Sequence, residues 1–454
     1  MKEYEAMVNM AISLNQVEEM QRAFQDSSHY RSIQNTVTKN GCQQSTVDWN
    51  RFACINHSFS HKIEKELPAT AQNKSGRCWL FAFLNQLRLK VADKYQLDHF
   101  ELSQSYLFFW DKLEKANYFL ESVLETVQEE DDSRIIMTLF SDAFLWSDGG
   151  QWHMAVNLVH KYGLVPQSVY PDSYSCLDSK EMNQICREKL REWGASLRRW
   201  AREGKRMECL RESKKIMLSE MYRILSIHLG TPPRKFDWEF IDSNKAFHVY
   251  QNCTPGSFFQ DHVAVSLQDF VCLVHSPRQV TPFNQTYTIA HLGNVVSGDP
   301  IVYVNVEMEI MKRATMQALV DKQAVWFGCD VRKKYHKVLG VMDTKLYDVE
   351  SAYQISFSMT KEERMIYGES QMVHAMLFTG VDVVNDKPKK WRVENSWGDK
   401  IGDKGYFIMT DNWFVEYMFE VAVEKRFLSQ SITALLDQSP VVLPLWDPLG
   451  SLAL

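Results

Sequence analysis

The stretch that most constrains this chain is Ser75-Gly76-Arg77-Cys78-Trp79, which runs into the apolar segment Leu80-Phe81-Ala82-Phe83-Leu84. After the glycine-containing turn, Leu80, Phe83, Leu84, Leu87 and Val91 recur at helical spacing. The spacing predicts a helix that starts at the cysteine and buries that face. A thiol at a helix N-terminus feels the positive end of the backbone dipole, so a lowered thiol pKa is expected. A lone cysteine on an apolar helix is ordinarily part of a core. Only a base, and a group that orients the base, would make it a nucleophile.

Candidates for both lie far downstream. His374 sits in Gly368-Glu369-Ser370-Gln371-Met372-Val373-His374-Ala375-Met376, and Asn395 in Trp391-Arg392-Val393-Glu394-Asn395-Ser396-Trp397-Gly398. The dense apolar run from Met372 to Val384, the polar turn Asn385-Asp386-Lys387-Pro388, and the alternation of Trp391 and Val393 with charged residues predict a β-hairpin. Its turn lies about midway between His374 and Asn395, so closing it brings the two side chains onto adjacent strands.

Several segments, taken in order, resemble the papain-fold cysteine peptidases and, within them, the bleomycin hydrolase family. Gln72 precedes Cys78 by six positions, Arg77 precedes the cysteine directly, and Ser105-Tyr106-Leu107-Phe108-Phe109-Trp110-Asp111-Lys112 resembles the second helix of that family. Asp148-Gly149-Gly150-Gln151-Trp152, Asn395-Ser396-Trp397-Gly398 with Gly405-Tyr406, and the tail Trp446-Asp447-Pro448-Leu449-Gly450 complete the pattern. Asn73 stands where the family leads one to expect a lysine.

The resemblance implies an α+β, papain-like two-lobed fold, with a helical lobe, a β-barrel-like lobe, a large helical insertion and extensions at both ends. It implies catalysis by Cys78, His374, Asn395 and Gln72, with Trp397 covering the His–Asn bond. Gly149 and Gly150 would lie against substrate backbone. A C-terminal arm ending in Leu454 would present its carboxylate to the free α-amine of a substrate. The implied protein is a cytosolic cysteine aminopeptidase acting on peptides or amides with a free N-terminus, without a metal or organic cofactor, as a homohexamer.

Composition narrows the alternatives. A chain of 454 residues is long enough for two or three domain-sized units. A net charge of −6 exerts no global pull toward nucleic acid or anionic lipid. No run is long and apolar enough to span a bilayer, and no secretory signal is visible at the start, so no membrane association is expected. Nine cysteines without CxxC pairs fit reduced thiols in the cytoplasm.

The expected organisation is a helical extension over 1–66, a helical lobe with the nucleophile over 67–180, a mostly helical insertion over 181–310, a β-rich lobe over 311–430 and an arm over 431–454. His374 follows Cys78 by 296 positions, against about 130–150 in simple papain-like enzymes, which is the reason to infer the insertion.

Three further patterns need weighing. His57 and His61 have i,i+4 spacing but no third ligand nearby in sequence, so zinc is not expected. Residues 187–215 hold eleven Lys or Arg against five Glu or Asp. That tract reads first as a solvated helical face and alternatively as a surface for nucleic acid in an oligomer. Leu449 to Leu454 are apolar or small, which suits an extended strand in a groove. Without the arm, an ordinary papain-type endopeptidase is the alternative.

Overall fold

The computed structural model describes residues 11–453. They fall into two compact units. The first takes the described residues up to Asn56 together with Thr344–Met359, and the second takes His57–Asp343 with the described residues from Thr360 onward. The helical extension expected over 1–66 therefore stops short of residue 57, and a distant loop joins it.

In the first unit, helix α1 (Leu14–Asp26) opens on a capping box between Ser13 and Gln16, and α2 (Ser28–Asn40) is capped by the Ser27 hydroxyl. Serine at these positions satisfies amide donors that a helix start leaves open. Neither helix has a buried residue. The distant loop is tied in by backbone bonds, Asp48 N–H to Leu346 O at 2.9 Å and Asp348 N–H to Thr46 O at 2.8 Å.

The second unit contains the long helices α3 (Cys78–Lys94), α4 (Gln104–Glu125), α5 (Trp152–Tyr162), α6 (Lys180–Arg202) and α7 (Met207–Leu229). Helix α3 does start at the cysteine. Every residue from Cys78 to Asn85 is buried, so its first two turns are enclosed on all sides rather than along one face, as an all-round apolar sequence demands.

The strands are β1 (His61–Lys62), β2 (Phe236–Ile241), β3 (Phe247–Cys253), β4 (Phe270–Val274), β5 (Gln285–Ile289), β6 (Tyr303–Asn305), β7 (Val325–Cys329), β8 (Tyr335–His336), β9 (Val341–Met342), β10 (His374–Val384), β11 (Lys387–Glu394), β12 (Tyr406–Thr410), β13 (Met418–Glu424) and β14 (Val441–Leu443). β2 and β3 form a hairpin of their own. The rest make one sheet in the order β14-β5-β6-β4-β13-β7-β10-β11-β12-β9-β8, with β1 added to β10.

The span 181–310 is thus mainly helical in its first part, with only short helical turns such as Pro255–Phe258 later. Helix α7 ends at Gly230, whose φ of 83° a side chain would resist, and β2 to β6 follow. The reason is visible in Phe270-Val271-Cys272-Leu273-Val274, a short apolar run buried on both faces of a central strand.

The His–Asn hairpin forms with a tighter turn than the four residues expected. Val384 pairs with Lys387, which leaves Asn385 and Asp386 as a two-residue turn, both at positive φ (52° and 58°). That conformation matches the twist of antiparallel strands and suits Asn and Asp. Along β10, Met376 and Phe378 enter the core of the β-rich part, while Ala375 joins the helical core. The period-two alternation of a strand thereby places β10 between the two cores.

Three charged residues of β11, Lys390, Arg392 and Glu394, are buried as well. Glu394 accepts from Arg88 (2.8 Å) and Asn85 (2.9 Å) of α3, and the Arg392 guanidinium lies 3.6 Å from the centre of the Tyr406 ring. The Glu394 contacts join the hairpin to the helix that carries the cysteine. No helix among the described residues is long and apolar enough to cross a membrane.

Candidate active site

The loop before Cys78 is fixed by buried hydrogen bonds. Arg77 is completely buried and donates to Ser75 Oγ (2.9 Å), Ser105 Oγ (3.1 Å), Asp172 Oδ1 (3.1 Å) and the Cys176 carbonyl (2.7 Å). Asn73 adopts a positive φ of 54°, a region asparagine enters more readily than lysine, and its amide donates to Ala71 O at 3.0 Å. The unexpected residue thus suits its backbone. At Gly76 a side-chain carbon would fall 2.8 Å from Asp148 Cβ, so only glycine fits between the loop and Asp148.

Cys78 is the first residue of α3 and 4% exposed. His374 opens β10, and its Nε2 lies 2.9 Å from Asn395 Oδ1. That oxygen also accepts the Ser396 backbone N–H at 2.8 Å. Oδ1 is therefore an acceptor, Nε2 carries the proton of the shared bond, and Nδ1 is left as the imidazole nitrogen free to act as a base. The Trp397 ring centre is 4.9 Å from that of His374. Gln72 joins the two halves. Its backbone N–H donates to Ser396 O (2.8 Å), its Oε1 accepts from Ser396 Oγ (2.7 Å), and its Nε2 donates to Ser75 O (2.6 Å), leaving a second amide hydrogen uncommitted.

Gln72, Cys78 and His374 line one cavity of about 350 Å³. Gly149 lines it too, and so does Leu452. The two glycines have different roles. A side chain on Gly149 would meet the Leu452 carbonyl at 2.2 Å, whereas one on Gly150 would meet the Trp79 indole at 2.5 Å. Gly150 is a packing glycine under Trp79 and does not line the cavity. Leu454 lies outside the described residues.

The arm differs from the extended strand expected. Pro448–Ala453 is a 3₁₀ helix, because Asp447 turns the chain and accepts the Leu449 N–H at 3.0 Å. Asp447 itself is gripped by both guanidinium nitrogens of buried Arg278, at 2.9 and 3.0 Å, the fork geometry that arginine and carboxylate favour.

Sequence reasoning gave Asp148 no role beyond its segment. It is the hub of the cavity wall, accepting from Gly76 N–H (3.2 Å), Asn183 Nδ2 (2.8 Å) and Ser179 Oγ, and pairing with buried Lys112 at 2.6 Å. Burial opposes its ionisation, but Lys112 outweighs that and holds the carboxyl well below the usual range. Lys115 adds bonds to the Ser147 carbonyl (3.2 Å) and the Gly149 carbonyl. No local spacing signals these contacts, since Lys112 and Asp148 come from separate elements.

The expected lowering of the Cys78 thiol is not found. Burial pushes it up to about 11, outweighing the N–H groups of Ala375, Trp79 and Cys78 itself. Burial likewise pushes His374 down to about 4, against the raising effect of Asn395. Each group taken singly is neutral near pH 7. The charged pair is reached by moving one proton from Sγ to the ring, which creates two opposite charges together.

The basic tract is largely neutralised within the chain. Eight of its eleven cations, Lys189, Arg191, Arg198, Arg202, Arg206, Arg211, Lys214 and Lys215, stand in ion pairs.

The Peptidase C1-like family matches residues 11–450. The chain belongs to that family. Relatives include Aminopeptidase C of Listeria innocua serovar 6a, 40% identical over 443 residues that span 98% of this chain and 99% of that protein. Bleomycin hydrolase of Gallus gallus is 43% identical over 404 residues, covering 87% and 88%. The crystal structure of PepW from Lactobacillus rhamnosis superposes with a TM-score of 0.95 at 38% identity, covering 97% of this chain and 99% of that one.

Proposed function

We propose that the protein is a cysteine aminopeptidase that releases residues from the free N-terminus of peptides and amides. Cys78 Sγ attacks the carbonyl carbon while His374 takes the thiol proton. His374 then returns that proton to the leaving amine. A thioester to Cys78 remains, and water, deprotonated by His374, hydrolyses it. Asn395 holds the ring through Nε2, and Trp397 covers that bond. The Cys78 backbone N–H and the free amide hydrogen of Gln72 stabilise the oxyanion, where loss of one donor costs about 2.7–4 kcal/mol in the barrier.

The observation that carries this reading is the single cavity lined by Gln72, Cys78, His374 and Leu452. Leu452 takes the track along Gly149 that further substrate residues would otherwise follow. The names of the relatives support the same activity. The cytoplasmic location is supported by nine cysteines, all of them free thiols. The homohexamer is supported by exposed apolar residues, Leu14, Met20 and Phe24, on α1. The nucleic-acid reading has no comparable support.

The test compares N-blocked and unblocked aminoacyl amides, and measures native mass in the same preparation. Only unblocked substrates should be cleaved, and removal of Leu449–Leu454 should open the enzyme to blocked peptides. Equal cleavage of both by the intact chain would leave the endopeptidase alternative standing.

A further inference from the structure

We propose that Arg187 makes this enzyme select substrates whose N-terminal residue carries an acidic side chain. The inference rests on the aminopeptidase reading and adds the substrate class. In that reading the scissile carbonyl lies at Cys78, and the α-amine lies toward the arm at Gly149. The side chain of the N-terminal residue then faces the remaining wall of the cavity. That wall includes Asp142, Ala143 and the stretch Trp146–Asp148, together with Asn183 and Arg187 of helix α6.

The charges on this wall are matched with one exception. Asp148 is paired with Lys112 at 2.6 Å. Asp142 is paired with Arg191 at 2.6 Å. Asn183 is committed at both ends, accepting from the Trp146 indole at 2.9 Å and donating to Asp148 at 2.8 Å. Arg187 follows Asn183 by one helical turn, on the same face of α6. Among the described residues it makes no hydrogen bond and no ion pair, although it is half-buried. The basic tract that begins at Arg187 is otherwise mostly tied up in ion pairs, so this guanidinium is the unmatched positive charge of the cavity.

A half-buried guanidinium offers a carboxylate two parallel N–H donors in a setting less screened than water. An aspartate or glutamate side chain satisfies it, a neutral one leaves it to solvent, and a lysine is repelled. The neighbouring Asp142 carboxylate feels Arg187, but it is largely exposed and hydrogen-bonded to Arg191, so water screens that attraction and the Arg187 donors stay open.

The experiment measures kcat/KM for unblocked glutamyl, glutaminyl and lysyl amides with one leaving group, in the wild type, Arg187→Met and Arg187→Glu. The wild type should prefer glutamyl over glutaminyl. Arg187→Met should lower that ratio about tenfold, and Arg187→Glu should shift preference to lysyl. A ratio unchanged in Arg187→Met overturns the proposal, whereas a merely structural role would slow all three substrates together. If no unblocked amide is turned over, the aminopeptidase reading has failed. The same comparison is then made by calorimetric binding of glutamyl and glutaminyl amides to Cys78→Ala, with and without Arg187→Met. Equal loss of affinity for both ligands overturns the assignment there.

Discussion

Cys272 Sγ lies 3.6 Å from His153 Nδ1, a cysteine–histidine contact apart from the cavity that Cys78 and His374 line together. The two regions use the same residue types in different surroundings. Cys78 begins a helix and lines a cavity, and its histidine is oriented through Nε2 by Asn395. Cys272 sits in the middle of β4 between β13 and β6, with no exposed surface. Burial drives its thiol far up, and the neighbouring Glu420 carboxyl pushes it further. Burial lowers His153 to about 4, and no described residue hydrogen-bonds its other ring nitrogen. Glu420 is itself fully buried, and its carboxyl lies against the Cys272 thiol. Under the proposed function, access to a cavity and an external orienting group are what set the Cys78 site apart from this pair.

The comparison yields tests of decreasing size. Cys78→Ala should remain folded and lose at least about 10⁴-fold in kcat, while Cys272→Ala should keep the specific activity of its folded fraction and lose only stability through the small cavity it leaves. Comparable activity losses in both would erase the distinction. Asn395→Ala should lower kcat about 10- to 100-fold with unchanged far-UV circular dichroism, because it frees the ring without removing it. An Asn395→Ala enzyme as active as wild type would show that burial, rather than the amide, orients His374.

The smallest effect concerns the second region alone. Burial raises the Glu420 carboxyl to about 8. Between the usual glutamate range and that value, the native state keeps a proton that the unfolded chain has lost. Stability from this group is therefore complete at low pH, falls as pH rises, and is lost once pH passes about 8. Glu420→Gln removes the titration. The melting temperature of the variant relative to wild type should rise by roughly a few degrees between pH 5 and pH 8. A difference independent of pH would mean that Glu420 is ionised in the folded protein.

Much of the site could be read locally. Cys78 was legible because an apolar helical period starts at it, and the pairing of His374 with Asn395 because a polar turn sits midway between them. The Gly149-Gly150 pair was legible as a feature, but its division of labour was not, since only the fold puts the Leu452 carbonyl on one glycine and the Trp79 indole on the other. The basic tract looked like free charge because its partners are remote. Arg198, for example, bonds Asp131 across 67 positions.

Local sequence was enough to tell that a helix begins at Cys78, that a hairpin brings His374 to Asn395, and that the tail is apolar. These are properties of turn chemistry and side-chain period, which act over a few residues. The tertiary structure alone decided that Asp148 ties the cavity wall to the nucleophile loop, that the arm arrives as a 3₁₀ turn anchored by Arg278, and that Arg187 is left unmatched. Each depends on which distant group covers a given face. Local spacing fixes which face a residue points from, and only packing fixes what it meets.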